Sequence, residues 1–332
     1  MRNRLKQNNI EAYNKKSLKS VYHILTSKYI VSTHTEFMLI KGKNQVYINL
    51  WHGMPLKKMK FLEDDKNIDL KELKFTNLTK DKIDYSIATS NIMKNSMASC
   101  FYINPRKILV SGQPRNDYLF DNKDKSLQQL QKLIDNERLD RYSKIIMYIP
   151  TFKSGIGRND SNINNDEIIN SIFYENKEFN RFLEKNNYLF IAKIHPFEEN
   201  KFENLNTTNI KLIKNAEMNK YLITLNEILN AADMLVTDYS SVYFDYLNLD
   251  RPIIFTKSDE TEYINNRGFI LDNPDFWRPG PKVININEMM IEINRLFKDK
   301  MYYEEERMII NSLVNINRDN KASERIFNKI FK

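Results

Sequence analysis

The sequence predicts an α/β protein of two domains, each a parallel sheet with helices over its faces. Short apolar runs alternate with helical patterns along most of the chain, as strands buried on both faces require. A length of 332 residues suffices for two cores at roughly 150 residues each. Polar, chemically capable residues follow several of the apolar runs, and open α/β sheets bind ligands beyond the carboxyl ends of their strands.

Taken in order, the strand candidates of the first half are Tyr29–Ser32, Val46–Leu50, Tyr85–Ala88 and Ile108–Val110, with a helix over Ser90–Phe101. Little before Tyr29 reads as a strand, so this half is expected to be one or two elements short of a complete open sheet. A polar helix over Ser126–Tyr142 marks the boundary, dividing the chain into two domains, 1–135 and 136–332. The second half offers strands at Ile145–Ile149, Leu189–Ile194, Ile210–Ile213, Met234–Val236 and Ile253–Phe255. Its helices are expected near Glu167–Lys185, Leu225–Ala231, Val242–Leu249 and Glu288–Lys298. The tract SGIGRNDSNINN, 154–165, reads as a loop beside the cleft between the two domains.

Composition narrows the class. Hydrophobic residues are 41% and aromatics 12% of the chain, the balance of a folded globular protein. The single cysteine, Cys100, excludes an internal disulfide, and no Cys/His spacing suggests structural zinc. The first residues lack the apolar core of a signal peptide, and no apolar run approaches the ~20 residues of a spanning helix, so a cytosolic location is expected. Net charge is +8 and uneven: Arg2, Arg4, Lys6, Lys15, Lys16, Lys19 and Lys28 face only Glu11 within the first thirty residues. That run is either a solvated face or a contact with an anionic membrane surface. No nucleic-acid motif accompanies it, and nucleic acid is not expected as a partner.

The most informative segment is MLVTDYSSVYFDYL, where the buried run Met234–Val236 ends in Thr237 and Asp238 and leads through Tyr239, Ser240 and Ser241 into a helix. First-turn amides lack intrahelical partners and favour anions, so the two serine hydroxyls can complete a phosphate cradle. The alternative is that Asp238 or Ser240 simply caps the helix. Two of the four histidines stand at strand ends. His52 follows Val46–Leu50 in LWHGMPLKK, before the lysines Lys57 and Lys58, and His195 follows the next half's apolar run in AKIHPF. Each is either a proton-transfer group or a histidine satisfied locally, whereas His23 and His34 read as structural. Arg115, in SGQPRND, can bind phosphate bidentately or pair with Asp117. Thr151 and Lys153, in PTFK, add a hydroxyl and a cation to the same rim, and Pro279 and Gly280, in RPGPK, form a stiff turn that edges a nucleoside pocket or is purely structural. There is no Walker loop, no GxGxxG and no acidic cluster with magnesium spacing, so phosphate charge would be met by amides, hydroxyls, Arg and Lys, and no obligatory cofactor or metal is expected.

The motifs LWHGMPLKK, GQPRND, PTFK, KIHP, TDYSSVYFDY, RPGP and DNKASERI occur in the order seen in the CDP-glycerol glycerophosphotransferase family, which the chain resembles from about Lys15 onward. The resemblance implies a GT-B-type fold of two facing Rossmann-like domains, a shortened acceptor-side one, 1–135, and a donor-binding one, 136–332, at the cytoplasmic membrane face. It implies transfer of glycerol phosphate from CDP-glycerol, or of ribitol phosphate from CDP-ribitol, to a lipid-linked or polymeric anionic acceptor in teichoic acid or capsule synthesis, with release of CMP. By that resemblance His52 is the general base, His195 lies near the donor pyrophosphate, and Ser240 and Ser241 contact phosphate. Two departures from the family pattern are Met54, where a threonine is usual, and Lys153, where an arginine is usual. The rival readings are a nucleotide-sugar transferase of the same fold and an inactive basic membrane-binding scaffold.

Overall fold

The computed structural model describes residues 5, 9–63, 69–135, 138–151, 168, 171–172, 177–194, 199, 208–257 and 268–332. Two parallel sheets organise it. The first contains β1 (Tyr29–Ser32), β2 (Val46–Asn49), β3 (Tyr85–Ala88) and β4 (Ile108–Val110), in that spatial order. The second has the order β10-β9-β8-β5-β6-β7, from β5 (Lys144–Ile149), β6 (Tyr188–Ala192), β7 (Ile210–Leu212), β8 (Met234–Thr237), β9 (Ile253–Thr256) and β10 (Lys282–Val283). Strand order reverses at β5, which pairs β6 on one side and β8 on the other. The crevice beyond the carboxyl ends of β5 and β8 is therefore where a ligand is expected.

Burial explains why these strands were readable. Every residue of β8 and β9 is buried, and the apolar runs mark them directly. The polar helix expected over Ser126–Tyr142 is instead Lys123–Leu133 followed by a 3-10 turn at Leu139–Arg141, and Asp135 between them has a left-handed φ of 54° that no helix continues through. Helices at Leu18–Thr26, Leu70–Thr79, Asn215–Tyr221, Glu304–Val314 and Ala322–Ile330 add to those expected. Of the helix expected over Glu167–Lys185, the stretch Lys177–Asn186 is described; the tract 154–165 lies outside the described residues.

The two halves are joined closely. One apolar core runs through both, from Tyr47, Met93 and Met97 to Leu235, Tyr243 and Phe255. Backbone bonds from Lys58 N to Gly268 O (3.2 Å) and from Ile270 N to Leu56 O (2.9 Å) zip the segment after β2 to one before β10. The chain end returns to the first sheet: Thr89 donates to the Val314 carbonyl at 2.6 Å, and Arg325 Nε donates to the Ser111 carbonyl at 2.8 Å.

Candidate active site

The turn after β2 presents His52. Trp51 sits at φ 56° and Gly53 at φ 143°, so the chain reverses within three residues. A left-handed non-glycine residue costs roughly 1–2 kcal/mol, and Trp51 is held there by a 2.8 Å bond from its N–H to Asn49 Oδ1 and by packing on Phe101, ring centroids 4.6 Å apart. His52 is thereby lifted to an exposed position. Its Nδ1 lies 3.0 Å from the Thr33 carbonyl. A carbonyl only accepts, so Nδ1 carries the proton and the neutral ring keeps its lone pair on Nε2. The ring stacks on His34 at 4.6 Å and lies 4.2 Å from the Trp51 ring. Water lost from those surroundings depresses the imidazole pKa; the Thr33 bond opposes this, and the charges of His34, Arg115 and Lys57 reinforce it. The shift favours the neutral ring, and Nε2 is then the nitrogen that can take a proton.

Gly53 lets this turn meet the other half. A Cβ there would lie 2.8 Å from Ser241 Oγ and 3.0 Å from Arg115 Nη2, so a side chain would displace both groups as well as strain the backbone.

On the facing side, β8 ends at Thr237, and Asp238, which follows it, is buried. Its carboxylate accepts the Thr151 N–H at 2.8 Å, the Thr151 hydroxyl at 2.7 Å and the Ser240 N–H at 3.1 Å. Asp238 thus ties the ends of β5 and β8 together. Ser241 opens the helix Val242–Tyr246 with helical backbone angles and no side-chain capping bond. That helix has five residues and continues as a 3-10 turn, Leu247–Leu249, so a phosphate cradle here rests on the Ser240 and Ser241 hydroxyls and nearby amides more than on a long helix dipole.

Arg115 joins the two sides. Its Nη1 donates to the His52 carbonyl and its Nη2 to Asp245, both at 2.5 Å. Pairing with Asp117 does not occur. Asp117 instead accepts from the amides of Ala322 and Ser323 at 2.9 and 3.0 Å, capping the last helix from 205 residues away in sequence. Asp245 is buried, which pushes its pKa up, while Arg115, Asn116 and Asn226 pull it back down. Sequence reading missed Asp245; its signal is an acid one helical turn beyond Ser241 in an otherwise apolar helix.

Between the halves lies a cleft of about 200 Å³ whose wall includes His52, Lys57, Thr151, Ser240 and Ser241. Met54 contributes to the same wall although only 3% exposed. Lys58 lies away from it, its stem over Gly268, where a Cβ would meet it at 3.2 Å. Pro279 borders a separate hollow of about 120 Å³, and Gly280 lies flat on β9, where a Cβ would fall 2.0 Å from the Ile253 carbonyl oxygen. His195 and Lys153 lie outside the described residues. Among the described residues no group of three His, Cys, Asp or Glu is placed to hold a metal ion, and no helix is long and apolar enough to cross a membrane.

The family model described as CDP-Glycerol:Poly(glycerophosphate) glycerophosphotransferase matches residues 2–332. The chain is 29% identical over 309 residues to the teichoic acid poly(glycerol phosphate) polymerase of Bacillus spizizenii, covering 88% of this chain and 71% of that one. It is 26% identical to the teichoic acid glycerol-phosphate transferase of Staphylococcus aureus, covering 98% and 82%. Against longer relatives it spans 36–38% of their length. The wall teichoic acid polymerase TagF superposes with a TM-score of 0.78 at 26% identity over 97% of this chain and 76% of that one, which supports the GT-B-like reading of the two parallel sheets. The chain belongs to the CDP-glycerol:poly(glycerophosphate) glycerophosphotransferase family.

Proposed function

We propose that this protein transfers glycerol phosphate from CDP-glycerol to a hydroxyl of a teichoic-acid-type acceptor. The observation that carries the reading is His52, with its lone pair on Nε2, lining one cleft with Thr151, Ser240 and Ser241 of the other half. In the reaction Nε2 takes the acceptor hydroxyl's proton, the oxygen bonds to the β-phosphorus, and the bond from that phosphorus to the bridging oxygen breaks. CMP leaves with the electron pair. The Ser240 and Ser241 hydroxyls meet the donor phosphates. To His195 and Lys153 we assign the remaining pyrophosphate contacts, on the sequence motifs alone. No cofactor beyond the donor is assigned.

Family membership and the relatives' names support glycerol phosphate as the unit carried, and a TagF structure at 25% identity was obtained after a soak with CDPG. CDP-ribitol is the second reading, because a teichoic acid poly(ribitol-phosphate) polymerase is 31% identical over 251 residues. We place the acceptor at an anionic membrane surface. On the helix Leu18–Thr26 the apolar side chains Leu18, Val21, Tyr22 and Leu25, spaced as one face, are 90, 39, 62 and 55% exposed, and Lys15, Lys16, Lys19 and Lys28 flank them. Such a stripe with a basic border suits a lipid interface.

The test is CMP release from CDP-glycerol and CDP-ribitol with the acceptor on anionic vesicles. We expect CDP-glycerol to be used and His52→Ala to lose at least ~100-fold in kcat. Leu18→Asp with Leu25→Asp should lower turnover on vesicles. Full activity in His52→Ala would refute the assigned base.

A further inference from the structure

His52 borders a second and larger cavity. This one, about 450 Å³, lies wholly within the first half and is walled by Met38, Phe75, Ile83, Met97, Phe101 and Ile103. Trp51 and His52 belong to its wall and to the wall of the cleft with Ser240 and Ser241, so the proposed base stands where the two spaces meet. The larger volume falls in the range of small-molecule sites, roughly 300–1,000 Å³.

Its chemistry differs from that of the donor cleft. Met97, Met38, Ile83 and Ile103, at most 4% exposed, form the apolar floor behind it, and the partly buried Trp51 and Phe75 add aromatic surface to its wall. Such a wall gains little from water and much from a hydrocarbon. The wall also carries cations, Lys71 in the first turn of the helix Leu70–Thr79 and Lys80 at its C-cap, whose ammonium rests over the Tyr102 ring at 4.1 Å, while Lys60 is paired with Glu72. An apolar interior bordered by lysines selects an amphiphile with an anionic head.

We propose that this cavity is the subsite for the apolar chain of a short, lipid-borne acceptor, whose anionic head is met by Lys71 and Lys80 and whose hydroxyl reaches His52. The proposal rests on the acceptor reading above and sharpens it: the reacting hydroxyl lies within one head group of a hydrocarbon chain. The protein is then suited to adding a first unit to a lipid more than to extending a long polyanion, whose growing end is remote from any chain.

Dodecyl phosphate is the binding probe, titrated calorimetrically below its micelle concentration. It should bind saturably and one to one, with affinity rising about fourfold per methylene from hexyl to dodecyl phosphate until the cavity is full. Thr76→Trp, filling the cavity from a half-exposed helix position, should weaken dodecyl phosphate at least tenfold. Met97→Ala should move the plateau to longer chains. In turnover assays Thr76→Trp should raise KM for the lipid acceptor and leave KM for CDP-glycerol unchanged. No saturable alkyl phosphate binding, or binding untouched by both variants, would overturn the proposal. Turnover of CDP-glycerol on a chain-free hydroxyl acceptor with equal kcat/KM would overturn it too, while leaving the transferase reading intact. Absence of CMP release with every acceptor would instead sink the transferase reading, and alkyl phosphate binding would still decide the subsite.

Discussion

Because Thr33 offers His52 only an acceptor, proton transfer must run through Nε2, and the ring works only while neutral. Its depressed pKa therefore has a sign that can be read. A lowered pKa keeps the ring neutral to more acid pH, so the acid limb of kcat/KM should have its midpoint below the ordinary imidazole value of about 6.5. His34→Gln removes a stacked neighbour that can carry charge and should move the midpoint up towards 6.5. An acid limb at or above 6.5 in the parent would mean another group controls the rate. His52 was legible at this scale because a histidine before a Gly-Met-Pro turn at a strand end has few other reasons to be there. Thr33, His34 and Asp245 were not, since each matters through a partner brought near only by folding.

The strand-turn-helix unit from β8 to Val242–Tyr246 separates two roles that its sequence presents together. Asp238 braces Thr151 and the Ser240 amide, whereas Ser241 makes no capping bond. Asp238→Asn puts an amide donor where three donors already converge, and should cost roughly 1–3 kcal/mol, measured as a shift in urea midpoint at constant m. Ser241→Ala should change stability by less than about 0.5 kcal/mol and raise KM for CDP-glycerol. The reverse pattern, a destabilised Ser241→Ala with normal donor KM, would restore the capping reading. Strands were legible to within one or two residues, most directly β5, β6, β8 and β9, whose nearly complete burial leaves the apolar runs no competing explanation. β10 was not, being two residues long, and Leu70–Thr79 was not, because its apolar positions are scattered among Lys, Glu and Asn; its capping Asp69 was the one local sign.

At the scale of the molecule, the sequence order of motifs foretold that two sheets would face one another but not what fixes their distance. Arg115 does much of that, since one guanidinium holds both the His52 carbonyl and the buried Asp245 of the other half. Removing the half-buried Arg115 leaves the buried Asp245 without its cation, so Arg115→Ala should destabilise by roughly 1–3 kcal/mol, and Asp245→Asn in that background should recover part of the loss. A double-mutant cycle should give a coupling of at least ~1 kcal/mol. Loss of stability alone would not prove a catalytic consequence, because Gly280→Ala, which drives a Cβ into the Ile253 carbonyl, should also destabilise. The two differ in the pH profile. Arg115 is one of the charges that depress the His52 pKa, so Arg115→Ala should shift the acid limb upward while lowering kcat; Gly280→Ala should leave the limb where it was. If both variants lose rate with unmoved limbs, Arg115 is only a brace between halves. If Arg115→Ala alone moves the limb, the contact that joins the two sheets also tunes the base between them.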